Sequence, residues 1–309
     1  MKWMQWMWGL ALPLILLTGC EQPANEGGPR TGPLKITTTI GMIADVAGHI
    51  GGPHVSVTPL MGPGVDPHLY KATHGDLEKL GGADLILYNG LHLEGKMGEV
   101  LENMGKRVQT VQVTRSIPEN LLRKPPEFEG NFDPHVWFDV SLWRHVAEEI
   151  RAVLSEVDPD HAAAFQTNAT AYIAALDELH TYAKDQLAMI PESQRILVTA
   201  HDAFGYFGRA YGLDVMGIQG ISTASEYGLQ DLDRLANVLV ERKVKAVFVE
   251  TSLSPKSIEA LIAGVENKGH AVALGGNLYS DAMGEQGTPE GSYIGMVRHN
   301  VDTIVNALK

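Results

Sequence analysis

The chain has 309 residues, 44% hydrophobic and 20% charged, with a formal net charge of −13 and one cysteine. That is enough chain for two domains of about 150 residues each. The acidity argues against nucleic acid, whose phosphates are bound through Lys and Arg, and a lone cysteine excludes an internal disulfide.

Lys2 is the only charge before Glu21, and from Trp6 to Gly19 the chain is almost wholly apolar. The run is shorter than the ~20 residues of a membrane-spanning helix and suits a signal-peptide core. It ends in Leu17-Thr18-Gly19-Cys20, with small residues just before the cysteine. Residues 1–19 therefore read as a lipoprotein signal peptide and Cys20 as the lipid attachment point. Stable anchoring generally takes two acyl chains, as palmitate-type acylation would supply. The expected location is the cell membrane, facing outside the cytoplasm. Removing Lys2 with the signal changes the charge from −13 to −14. Residues 20–33 recur in Pro and Gly and read as a flexible tether.

From Leu34 the chain alternates. LKITTTI reads as a strand, 40–50 as a helix and VSVTPLM as a strand, followed by the Gly/Pro loop GPGVDPH (62–68). Helix 74–83, strand 83–90, helix 96–105, strand 108–113 and helix 143–157 complete an N-terminal region, 34–157. Next come about thirty residues, 159–189, with no Gly or Pro after Pro159. One helix of that length spans roughly 45 Å at 1.5 Å per residue; two helices broken near Thr170 are the alternative. Asp158 suits its N-cap and Pro159 its first turn, so 158–190 reads as a linking helix. The C-terminal region, 191–309, repeats the alternation: strands RILVTAH, LDVMGIQG, AVFVET and HAVALGG (270–276), each followed by a helical segment. Strands separated by helices predict an α/β fold with parallel sheets.

Four residues stand out by position. His68 closes the GPGVDPH loop, and His135 lies in DPHVW before a helix. His201 ends the RILVTAH strand, and Asp281 follows the last strand in LYSD. In open α/β sheets, ligands bind beyond the carboxyl ends of strands. Three imidazoles and a carboxylate can hold a divalent transition metal, and the proline before His68 and before His135 restricts the backbone there. Glu250, at the end of AVFVE, is placed to hydrogen-bond His201 from behind, because ligating histidines usually donate their other N–H. His92 is near a strand end but reads as loop support, and Trp137 and Tyr206 read as packing residues.

The stretches GVDPHLY (64–70), LYNGLHLEGKM (87–97), DPHVWFDV (133–140), TAHDAFGYFGRAYGL (199–213), VFVETSLSPK (247–256) and LYSDAMG (278–284) resemble the metal-binding lipoproteins of bacterial ABC importers for manganese and zinc, the TroA-like or cluster 9 receptors. The resemblance runs over nearly the whole chain after Cys20. It implies two lobes, each a parallel four-stranded sheet with flanking helices, joined by one long rigid helix. It implies metal ligands at His68, His135, His201 and Asp281; some relatives carry glutamate at the position of His201. It also implies a monomeric receptor that hands metal to a membrane permease driven by a cytoplasmic ATPase. Zinc receptors of the family often carry a His-rich loop between the first two histidine ligands. Residues 116–135, SIPENLLRKPPEFEGNFDPH, hold no histidine before His135, which favours Mn2+ over Zn2+.

Four protein ligands would close the shell, whereas catalytic zinc usually keeps a position for water. No HExxH, nucleophile elbow or phosphate loop is present. An enzyme is therefore not expected. A metal-dependent hydrolase, or an adhesin with a structural metal, are the rival classes. Binding is expected to weaken below about pH 6, since imidazole must be deprotonated to ligate.

Overall fold

The computed structural model describes residues 32–309; the signal-peptide, Cys20 and most of the tether readings lie outside the described residues. The first lobe contains β1 (Leu34–Thr38), β2 (Val55–Pro59), β3 (Leu85–Tyr88) and β4 (Gln109–Gln112). They form one parallel sheet in the order β2-β1-β3-β4, with Ile36 opposite Val57 on one side and Leu85 on the other. Leu34, Ile36, Leu85, Ile86 and Leu87 are all buried. Such near-continuous apolar runs are what a parallel sheet covered on both faces requires. The covering helices are α1 (Gly41–Gly51), α2 (His74–Gly81), α3 (Gly98–Met104) and α4 (Val140–Val157). α2 begins at a reciprocal cap between Thr73 and Asp76, which satisfies two otherwise orphaned N–H groups.

After α4 a single 3-10 turn at Pro159–His161 leads into α5, Ala162–Leu187. The helix is unbroken at Thr170, but it starts three residues later than the Pro159 signal suggests. Asp158 spends its side chain on His161 Nδ1, at 2.8 Å, so it braces the turn instead of capping α5. Phe165, Ala169, Tyr172, Leu176, Leu179, Ala183 and Leu187 are the buried residues of α5. Their three- and four-residue spacing makes one apolar stripe.

The second lobe holds β5 (Ile196–His201), α6 (Gly205–Tyr211), β6 (Asp214–Gln219), α7 (Leu229–Glu241), β7 (Ala246–Glu250), α8 (Lys256–Asn267), β8 (Ala273–Leu278) and α9 (Tyr293–Leu308). Its four parallel strands hydrogen-bond as two ladders, β5–β6 and β7–β8, with β5 lying beside β7. β8 sits two to three residues later than the strand read at 270–276. Its register slips against Val247 and Phe248, beside Gly275 and Gly276, which blur a strand signal in sequence.

The largest apolar core runs through both lobes. It includes Trp137, Phe138 and Trp143 from the segment entering α4, Phe204 and Phe207 around α6, and Tyr293 of α9. Phe138 stacks on Phe204 with ring centroids 4.2 Å apart, and Trp143 on Tyr293 at 5.4 Å. A smaller core lies between β5, β7, α7 and α8. Among the described residues, no helix is long and apolar enough to cross a membrane.

Candidate metal centre

Two copies of one short motif carry the first two histidines. Asp66-Pro67-His68 follows β2, and Asp133-Pro134-His135 precedes a 3-10 turn into α4. In each, the aspartate accepts the backbone N–H of the histidine two residues on: 2.9 Å from His68 N to Asp66 Oδ1, and 3.0 Å from His135 N to Asp133 Oδ1. Such Asx turns fix a backbone locally. The repeated Asp-Pro-His is the one sequence signal of these aspartates, whose role does not follow from the prolines alone.

Each histidine is then supported differently. His135 Nδ1 lies 2.8 Å from Asp133 Oδ1, and the other oxygen of Asp133 pairs with Arg123. His201 ends β5 beside Glu250, which ends β7. Glu250 Oε1 accepts the His201 N–H at 2.9 Å, and Oε2 sits 2.6 Å from His201 Nδ1 in an ion-pair contact outside hydrogen-bond alignment. His68 Nδ1 is buried with no hydrogen-bond partner. Asp281 lies three residues beyond β8. Its neighbour Ser280 is anchored from the other lobe, because Trp137 Nε1 donates to Ser280 O at 3.0 Å.

The four side chains meet. One donor atom from each of His68, His135, His201 and Asp281 falls within 4.8 Å of all the others, and all four residues are buried. His68 Nε2 lies 3.2 Å from His135 Nε2 and 3.7 Å from Asp281 Oδ2. His135 Nε2 is 3.4 Å from Asp281 Oδ1, and His201 Nε2 is 3.3 Å from Asp281 Oδ2. Ligands at about 2.0–2.2 Å around a tetrahedral centre stand about 3.3–3.6 Å apart, so the spacing fits one transition-metal ion. Both Asp281 oxygens lack an aligned hydrogen-bond donor. A buried carboxylate so placed needs a positive partner, either the surrounding imidazoles when protonated or a metal ion.

The electrostatics of the cluster are opposed. For Asp281, burial pushes the pKa up, but His201 and then His135 pull it well below the usual carboxylate range. For His135, burial pulls down, but the hydrogen bond to Asp133 and the nearby charge of Asp281 win and raise it to about 9. For His201, burial is likewise outweighed, here by Glu250 and Asp281, and the ring is held well above its ordinary value. His68 has no such support. Burial takes it down to about 3, with only Asp281 opposing. Without metal, the surroundings thus favour a proton on His135 and His201 and disfavour one on His68. A metal must compete with protons at these two rings, because imidazole ligates only when deprotonated.

His92 is exposed with φ 67° and stands outside the cluster. Its loop is braced by buried Glu94, which accepts from Thr39 Oγ1 at 2.7 Å, Asn89 N at 2.8 Å and Gly90 N at 3.0 Å. Trp137 and Tyr206 are fully buried packing residues whose side chains also bond across the lobes: Trp137 Nε1 donates to Ser280 O, and Tyr206 Oη donates to Asp133 O at 3.0 Å and accepts from Arg123 N at 2.9 Å.

Comparisons with known proteins identify the family and the fold. The family model of the zinc-uptake complex component A, periplasmic (ZnuA), matches residues 36–307. The manganese-binding lipoprotein MntA of Bacillus subtilis strain 168 is 53% identical over 294 residues, 95% of each chain. The zinc-binding protein TroA of Treponema pallidum strain Nichols is 49% identical over 290 residues, 94% of this chain and 92% of TroA. A solved structure of the treponemal TroA superposes with a TM-score of 0.88, covering 90% of this chain and 99% of that one. The chain is therefore a member of the ZnuA family of metal-binding receptors of ABC importers.

Proposed function

We propose that this protein captures Mn2+ in the cleft between its lobes and delivers it to the permease of an ABC importer, with a cytoplasmic ATPase driving transfer. His68 and His135 come from one lobe, His201 and Asp281 from the other, and the ion bridges them as ligands. Glu250 orients His201. The observation that carries the reading is Asp281: both oxygens are buried, lack an aligned donor and face the three imidazoles. A carboxylate binding through both oxygens gives five donor atoms, which suits manganese better than tetrahedral zinc. The 53% identity to a manganese-binding lipoprotein supports the same choice. Zn2+ is the second reading, supported by the 49% identity to a zinc-binding protein.

The lobes span 34–157 and 191–309, with 158–190 linking them. The shared core of Trp137, Phe138, Phe204 and Tyr293 supports a small closure. The protein acts as a monomer, and as a receptor, not an enzyme, because the four residues use every donor on one ion. A lipid on Cys20 and the tether at 20–33 keep it on the outer face of the cell membrane, close to the permease. The test is a deletion strain starved in turn of manganese and of zinc. Failure under manganese starvation alone is expected; failure under zinc starvation alone would overturn the choice of metal.

A further inference from the structure

We propose that Thr223 is a positioning residue for the bound metal: by holding Asp66, it fixes the loop that carries His68 and so sets how fast metal leaves. The inference rests on the metal-receptor reading above.

The two Asp-Pro-His turns differ in their second carboxylate oxygen. Asp133 turns it to Arg123 within its own lobe, and also supports the ring of its histidine. Asp66 sends it across the cleft, where Thr223 Oγ1 donates to Asp66 Oδ2 at 2.6 Å. No carboxylate reaches His68 Nδ1. His68 is therefore held through its backbone N–H, by the same aspartate that Thr223 holds.

Thr223 is itself tied to the metal cluster. Gln219 ends β6 and is the ladder partner of His201. Its Nε2 donates to Thr223 O and to Ser225 O, each at 2.7 Å. A strap thus runs from His201 through Gln219, Thr223 and Asp66 to His68, joining a proposed ligand of one lobe to one of the other.

The strap can open without breaking the core. Other bonds between the lobes include those of buried aromatic residues, Tyr206 to Asp133 O, Trp137 to Ser280 O, and Tyr293 Oη to Trp137 O at 2.6 Å, and those of Arg209 to Leu121 O at 2.8 Å and to Asp139 at 3.5 Å; none of them involves Asp66 or Thr223. Thr223 is buried, but Ala224, Ser225 and Glu226 beside it are exposed. On the facing loop, Gly64 has φ +70°, where glycine swivels without steric penalty. When Thr223 lets go, Asp66 loses its anchor. His68, the one histidine without ring support, then leaves the ion first.

The test measures metal dissociation by stopped flow into excess chelator, with Mn2+ and then Zn2+ loaded on the full chain. Thr223→Val keeps the volume and removes the donor. A hydrogen bond to a charged group contributes about 1.5–3 kcal/mol, so release should quicken by about tenfold or more. Stoichiometry should stay at one, and Thr223→Ser should restore the slow rate. In an Asp66→Ala background, Thr223→Val should add nothing. Wild-type release from Thr223→Val, no rescue by serine, or additive effects with Asp66→Ala would each overturn the strap. Wild-type protein that binds neither ion would instead overturn the receptor reading.

Discussion

Glu250 meets His201 twice, accepting its backbone N–H at 2.9 Å and facing its ring Nδ1 at 2.6 Å. His201 ends β5 and Glu250 ends β7, two strands of separate ladders that lie side by side, so the packing of the two ladders brings them together. The double contact fixes how the ring stands and leaves Nε2 facing Asp281 at 3.3 Å. Glu250→Gln keeps the shape and the backbone bond but removes the charge from the ring. Removing such a partner typically lowers metal affinity by about 10- to 100-fold. Competition against a chromophoric chelator should show that loss with one ion still bound per chain. Unchanged affinity would mean that Glu250 only joins the strands.

Metal capture should release protons. His135 is raised to about 9 and His201 well above its ordinary value of 6.5, so at neutral pH without metal the surroundings favour a proton on both. Both must lose a proton to ligate. Affinity should therefore rise by up to about 100-fold per pH unit near neutrality and flatten as His135 titrates near 9. For stability the sign is opposite. The contribution of His135 is fully present below 6.5 and is lost as pH rises through about 9. His68, depressed to about 3, works the other way below 6.5, where the unfolded chain gains a proton that the fold refuses. The metal-free protein should thus melt highest near pH 6.5, and the gap to the loaded protein should widen toward pH 9. Calorimetry in buffers of different ionisation enthalpy should count about two protons per ion; a count of zero would sink this electrostatic picture.

How much of this was legible in the sequence follows from what each residue depends on. His201 and Glu250 end apolar strand runs, and His68 and His135 follow Asp-Pro, so local signals expose them. The long helix was visible as a stretch without Gly or Pro, but its start moved to Ala162 because Asp158 is claimed by His161. Thr223 and Arg123 carried no local signal. Their roles arise only when the lobes dock and distant segments meet, 157 residues apart for Thr223 and Asp66. Asp66 and Asp133 fall between these cases: the repeat was visible, yet the direction of each second oxygen was not.

Gly205 protects the support of His135 from a distance. A Cβ added there would overlap the Arg123 guanidinium, the group that pairs with Asp133. Gly205→Ala should displace Arg123 and destabilise the fold by roughly 1–3 kcal/mol, with weaker metal binding. Gly48, inside α1, would meet nothing within 4 Å. Gly48→Ala should therefore stabilise by about 0.5–1 kcal/mol and leave metal affinity alone. Denaturant melts of both variants, with metal titrations beside them, separate the effects. Equal melts would mean that Arg123 moves aside freely.

Asp281 separates the two candidate ions. Its Oδ1 faces His135 at 3.4 Å and its Oδ2 faces His201 at 3.3 Å, so both oxygens can reach one centre. Asn at this position keeps one ligating oxygen and replaces the other with an amide nitrogen that does not ligate. A tetrahedral zinc ion still finds three imidazoles and an oxygen, a set it accepts readily. Manganese, which favours oxygen donors, loses one of two oxygens and the charge on both. Asp281→Asn should therefore weaken Mn2+ by on the order of 100-fold and Zn2+ by on the order of tenfold. Parallel titrations with the two ions measure the ratio. Equal losses would show that Asp281 binds through one oxygen, and the structural argument for manganese would fall with the second.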